Sequence, residues 1–287
     1  MARFLTFGAD LWDPSHRFQT SWLVSPYVLF GIRALLSLYA FTTLLFNIGY
    51  NCARPALGGC ETSRAAFSYF TVLSYWGLAF YFAIAAVHTF SYARWSRTPL
   101  ESWPRPLQAL HSLYYSTITT FPFLVVIIFW ALLSSPTALS SPYSAWTNTS
   151  QHILNSVFAL FEIVVPRTNS LPWIHLPFLI ILLGLYLALA YITHATKGFY
   201  TYSFLDVGKQ GPLLAAYIFG IGIGVCIIFA VIKGLIWLRR WITEDKLGLD
   251  GVFAHGRTRH EERGQTGHSM NKVGEGEHEM ADINPAV

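Results

Sequence analysis

Two side chains far apart in this chain of 287 residues are of the types that nucleophilic chemistry needs: Thr71, in SYFTVLSYWGLAFY, and His152, in QHILNSVFALFEIVVPR. A threonine hydroxyl attacks poorly until a neighbouring base takes its proton. An imidazole titrates near neutrality, so it can accept that proton and hand it on to a leaving alcohol. The neighbours are spaced to help. Ser68, Thr71 and Tyr75 recur at three and four residues, the spacing of one helical face. His152, Asn155 and Glu162 fall within roughly a quarter of a helix circumference of one another. Asn155, Ser68 and Tyr69 are candidate donors to a developing oxyanion. Glu162 lies ~15 Å of helix from His152, too far to orient its ring, so an orienting group is sought in the loop of Tyr200, Tyr202 and Asp206. The plainer reading is a threonine bonded back to a carbonyl one turn earlier and an interfacial histidine.

The elements that must position these groups follow from composition. Hydrophobic residues make up 53% of the chain and charged ones 12%, the balance of a membrane protein rather than a soluble domain. The net charge of +4 is spread over loops and tail, so nucleic acid is not an expected partner. Apolar stretches of crossing length start at roughly residues 27, 67, 110, 150, 173 and 212. The expected fold is all-α: an integral membrane bundle of six transmembrane helices over 1–242, followed by a disordered cytoplasmic tail over 243–287. The tail's histidines, 255, 260, 268 and 278, match no tight metal site. No cleavable leader is read at the N-terminus, so the first span is expected to serve as a signal anchor.

Orientation follows the Lys and Arg count. Arg17, Arg94, Arg97, Arg105, Arg167, Arg239, Arg240 and Lys246 fall on one side, against Arg54, Arg64, Lys197 and Lys209 on the other, so both termini are expected in the cytoplasm. The opposite face carries a glycosylation acceptor pattern at Asn148 and two cysteines, Cys52 and Cys60, whose pairing stays open at this point. These features point to the endoplasmic reticulum or another secretory-pathway or plasma membrane. This topology puts Thr71 about one turn inside span two and His152 about half a turn inside span four, at one depth from the same side.

Other intramembrane residues receive quieter readings. Arg33 is expected to snorkel to the interface, Cys226 to fill space, and Pro122 and Pro177 to kink their spans. Gly220 and Gly224 read as a close helix contact. His88, His111, His175 and His194 leave a haem-binding electron carrier as one alternative. A lipid carrier or transporter is the other, although no repeated halves are visible.

The residues Tyr69-Phe70-Thr71, the pair His152 and Glu162, and the segment HATKGFYTYSFLD over 194–206 resemble the androgen-induced gene family of multi-pass membrane proteins. The resemblance covers most of the apolar region and departs at Ser203, where the family has proline. It implies a threonine hydrolase of fatty acid esters of hydroxy fatty acids, with Thr71 as nucleophile and His152 as base. Its partners would be a lipid ester and the membrane, and it would need no metal or organic cofactor.

Overall fold

The computed structural model describes residue 13 and residues 15–249, and within them the chain is helical with one isolated antiparallel bridge, Ser21 to Pro166. Helix α1 spans Pro26–Cys52. It starts where sequence allows a clean start, with Ser25 accepting from the Val28 amide and Pro26 supplying a pre-set φ. A short α2, Gly59–Ala66, leads into α3, Phe70–Trp95. After the four-residue α4, Pro99–Ser102, comes α5, Arg105–Ile128, which runs through Pro122 and continues as a π-turn over Phe129–Leu133. Helices α6, Pro142–Thr149, and α7, Asn155–Val164, are joined without a break by a second π-turn, Ser150–Leu154. Then follow α8, His175–Lys197, the short α9, Val207–Gln210, and α10, Leu213–Arg240. Gly198, at φ 75°, closes α8 in the left-handed conformation that glycine adopts without a steric cost.

Among the described residues, five helices are long and apolar enough to cross a membrane: Pro26–Cys52, Phe70–Trp95, Arg105–Leu133, His175–Lys197 and Leu213–Lys246, an architecture compatible with a multi-pass membrane protein. The segment expected to supply a further crossing is helical over 142–164, but its first half, YSAWTNTSQH, is too polar to join them. It nevertheless runs antiparallel to α1 along much of that helix's length. Tyr143 bonds Asn47 and Asn51 near one end, and Glu162 bonds Arg33 near the other. Helix α5 lies at the centre, with 50% of its apolar window buried against 17% for α8 and α10, which therefore form an edge.

One end of the bundle, the Arg33 end, gathers the N-terminal segment, the α7–α8 connection and the end of α10. Arg167 N donates to Thr20 O at 2.9 Å, Ser21 Oγ to Val165 O at 2.7 Å, and Arg17 pairs with Glu244. The opposite end holds Thr71 and the loops before α3, α6 and α9.

Several expectations change. Arg33 does not snorkel: it is 1% exposed and ion-paired to Glu162, because a carboxylate from α7 faces it inside the bundle. A Cβ at Gly220 or Gly224 would meet nothing within 4 Å, so neither makes a close helix contact. Pro177 sits in the first turn of α8, where an amide hydrogen has no helical acceptor to lose. The tail boundary also shifts, since residues 243–246 extend α10 as a π-turn over Trp241–Lys246 and Glu244 lies among Arg17, Arg167 and Arg240. From residue 250 the expected disordered tail lies outside the described residues.

Candidate active site

Thr71 stands in the first turn of α3. Its N-cap, Tyr69, is extended at φ −95° and ψ 132° and offers no side-chain cap, so the first-turn amides look outward for acceptors. Tyr202 stands beside that turn, its ring edge-on to Tyr69 at 5.6 Å between centroids and lining the same cavities as Thr71. Tyr202 is held there by its loop. Phe204 and Leu205, buried against Tyr217 and Ile221 of α10, anchor the 3₁₀-turn of Ser203–Leu205, and the Tyr202 ring stacks on Phe204 at 5.1 Å. From α8, the Tyr186 hydroxyl donates to Ser68 O at 3.1 Å and lies 3.4 Å from Thr201 Oγ1, tying this loop to the start of α3.

His152 lies in the π-turn between α6 and α7, a distortion that adds a residue to the turn and recurs at functional positions. Its ring stacks on Phe129, 3.6 Å between centroids and 11° between planes. Phe129 itself opens the other π-turn. His152 Nδ1 has no hydrogen-bond partner. A cavity of about 290 Å³ is lined by Thr71 and His152 together, with Tyr69, Gln151, Thr201 and Tyr202 around them. Thr71 and Tyr202 also line a larger, mostly apolar cavity of about 450 Å³ between α3, α5, α8 and α10. Both volumes are near or within the ~300–1,000 Å³ of small-molecule sites. A hydroxyl thus stands where two chambers meet, with an imidazole in the smaller one.

The remaining candidates are dispersed. Tyr69 lines the smaller cavity, while Ser68 is buried and contributes its carbonyl to Tyr186. Asn155 is 2% exposed, lies outside the lining of both cavities, and accepts from the Ser156 amide at 2.6 Å. Asp206 caps α9 through the Lys209 amide at 3.2 Å and pairs with Lys209 Nζ at 3.4 Å, so both carboxylate oxygens are engaged away from His152. Glu162 belongs to the Arg33 end. Cys52 and Cys60 are disulfide-bonded, joining the end of α1 to α2. The Asn148 nitrogen that a glycan would occupy lies within α6 and donates to Ala138 O at 2.8 Å. Phe129, Thr201 and Tyr186 escape sequence reasoning, because nothing local marks an aromatic or hydroxyl residue near a helix end as a wall of this site.

The histidines of the haem alternative do not form a facing axial pair. His88 and His111 are packed directly edge to face at 5.4 Å, both against Trp103, leaving no plane for a porphyrin between them. His175 Nδ1 is hydrogen-bonded with Ser116 Oγ at 2.7 Å, and His194 is stacked on Tyr200 at 3.7 Å. Among the described residues no three His, Cys, Asp or Glu side chains come together as a metal set. No protein-family model, curated protein or solved structure matches the chain.

Proposed function

We propose that this protein is a membrane-embedded hydrolase of lipid esters, of the fatty acid ester of hydroxy fatty acid class, with a threonine nucleophile and a histidine base. The observation that carries this reading is that Thr71 and His152, from helices distant in sequence, line one cavity that adjoins an apolar one. The helix over 142–164 supplies a sixth crossing, supported by its antiparallel run beside α1. Both termini are cytoplasmic, and the protein sits in a membrane of the secretory system with Thr71 toward the outer leaflet.

The reaction proceeds in two halves. Thr71 Oγ1 adds to the ester carbonyl as His152 takes its proton, and the negative charge on the former carbonyl oxygen meets the Phe70 and Thr71 amides and the Tyr202 hydroxyl. Collapse breaks the bond to the alcohol oxygen, which receives the proton from His152 and leaves. Water then adds to the acyl-threonine, again giving its proton to His152. The free acid departs and the proton returns to Thr71. The Phe129 stack fixes the imidazole plane in place of an orienting carboxylate.

The test is ester hydrolysis by reconstituted protein. Thr71→Ala and His152→Ala are each expected to lower turnover by ~10²-fold or more, the range of one positioned acid–base group. Full activity in either variant overturns the assignment. An apolar cavity of this kind also suits a lipid carrier without chemistry; covalent labelling of Thr71 by a hydroxyl-directed acylating probe separates the two.

A further inference from the structure

The two cavities that meet at Thr71 differ in chemistry. The smaller one presents His152, Gln151, Thr201 and Ser203. The larger is walled by Leu124, Ile128, Leu183, Leu187, Ile221 and Phe204, with no charged side chain in its lining. Resting on the hydrolase reading, we infer that the larger cavity receives the acyl chain of the ester from the lipid between α8 and α10, and that Gly184 and Gly222 set the length of chain it accepts.

Direction follows from proton transfer. The leaving alcohol oxygen must face His152, because that ring returns the proton to it. The alcohol half, with its own polar end, therefore occupies the smaller cavity, and the acyl half extends from Thr71 to the other side. Its way in is open: Ile180 of α8 is 37% exposed, and Phe219 and Ile223 of α10 are 71% and 60% exposed, all three lining the cavity where these edge helices part. The lining continues to Cys226, ~20 Å of helix from the start of α10 and thus deep in a ~30 Å hydrocarbon core.

Moving a chain from lipid to an apolar pocket exchanges one hydrocarbon surrounding for another, so water exclusion provides little selectivity. Space must provide it. At Gly184 and Gly222 an added Cβ meets no atom within 4 Å, whereas at Gly77 it would touch the Tyr114 ring at 3.9 Å. Neither lining glycine is needed for a tight helix contact or a positive φ, and glycine inside a helix costs stability relative to alanine. What both do is keep room in the cavity, one from each wall of its mouth.

The experiment compares wild type, Gly184→Leu, Gly222→Leu and Gly220→Leu in lipid nanodiscs. Gly220→Leu is an exposed control on the same helix, outside the lining. With palmitoyl and octanoyl esters of one hydroxy acid, Gly184→Leu and Gly222→Leu are expected to lower the palmitoyl-to-octanoyl ratio at least about tenfold, the factor that a ~1.4 kcal/mol clash carries. Gly220→Leu leaves the ratio unchanged. In parallel, Thr71→Ala is labelled with a photoreactive palmitic acid, a readout that needs no hydrolysis. Crosslinks on the lining positions of α8 and α10, lost about tenfold when Gly222→Leu is added, support the assignment. Unchanged ratios in the folded glycine variants, or crosslinks confined to positions outside the lining, overturn it. If wild type hydrolyses neither ester, the hydrolase reading fails while the crosslinks still report the cavity.

Discussion

Replacing Glu162 by glutamine tests the polar clamp at the Arg33 end. Arg33 Nε lies 3.2 Å from Glu162 Oε2, Nη2 bonds Oε1, and Nη1 donates to Phe18 O at 2.7 Å and Thr89 Oγ1 at 2.6 Å. Tyr81 adds a bond to Oε1 at 2.9 Å. The two charged side chains are 1% and 0% exposed, so no water replaces a lost partner. Glu162→Gln keeps the shape and removes the negative charge, leaving a guanidinium with only neutral acceptors. Breaking a buried pair from one side costs ~3–5 kcal/mol, which at ~2–4 °C per kcal/mol for a chain of this size lowers the melting midpoint by roughly 6–20 °C. Arg33→Met strands the carboxylate and costs a similar amount. The double variant Arg33→Met/Glu162→Leu removes both charges and recovers most of the loss, because replacing a buried pair by apolar groups is close to neutral. The assay is a double-mutant cycle on thermal unfolding in nanodiscs, read by intrinsic tryptophan fluorescence. A Glu162→Gln midpoint within ~1 °C of wild type, or a double variant no better than the singles, would refute the claim that this pair is dry and mutually dependent.

Other consequences are equally direct. Tyr202→Phe removes the hydroxyl beside Thr71 and is expected to lower kcat by ~10²-fold with little change in KM, as loss of an oxyanion donor does; Tyr200→Phe, whose ring stacks on His194 instead, serves as the comparison in the same kinetics. Phe129→Ala takes away the ring that holds the His152 plane and is expected to lower kcat while leaving the melting midpoint within a few degrees, measured on one preparation. Reductant is expected to lower the wild-type midpoint and to leave Cys60→Ser unaffected, since the Cys52–Cys60 bond cross-links the end of α1 to α2 and a disulfide contributes ~2–4 kcal/mol.

The apolar runs mark the helices closely. The stretches expected from roughly residues 27, 67 and 212 begin as helices at Pro26, Phe70 and Leu213, because hydropathy is a local property and each segment carries it without help from its partners. Helix order likewise brings Thr71 and His152 to a common end. Which neighbour each side chain meets was not legible. Arg33 read as a lone cation near an interface until a carboxylate 129 residues away proved to face it. Gly220 and Gly224 read as a packing pair, and Asp206 as an orienting group, until packing left the first two in open space and engaged the third with Lys209. The chambers beside Thr71, and the tyrosine lowered onto it from the loop after α8, belong to no single segment. Period and polarity say which residues a helix prefers to bury, but the helix's rotation and its neighbours are chosen by close packing among several helices at once, and that choice is made only in three dimensions.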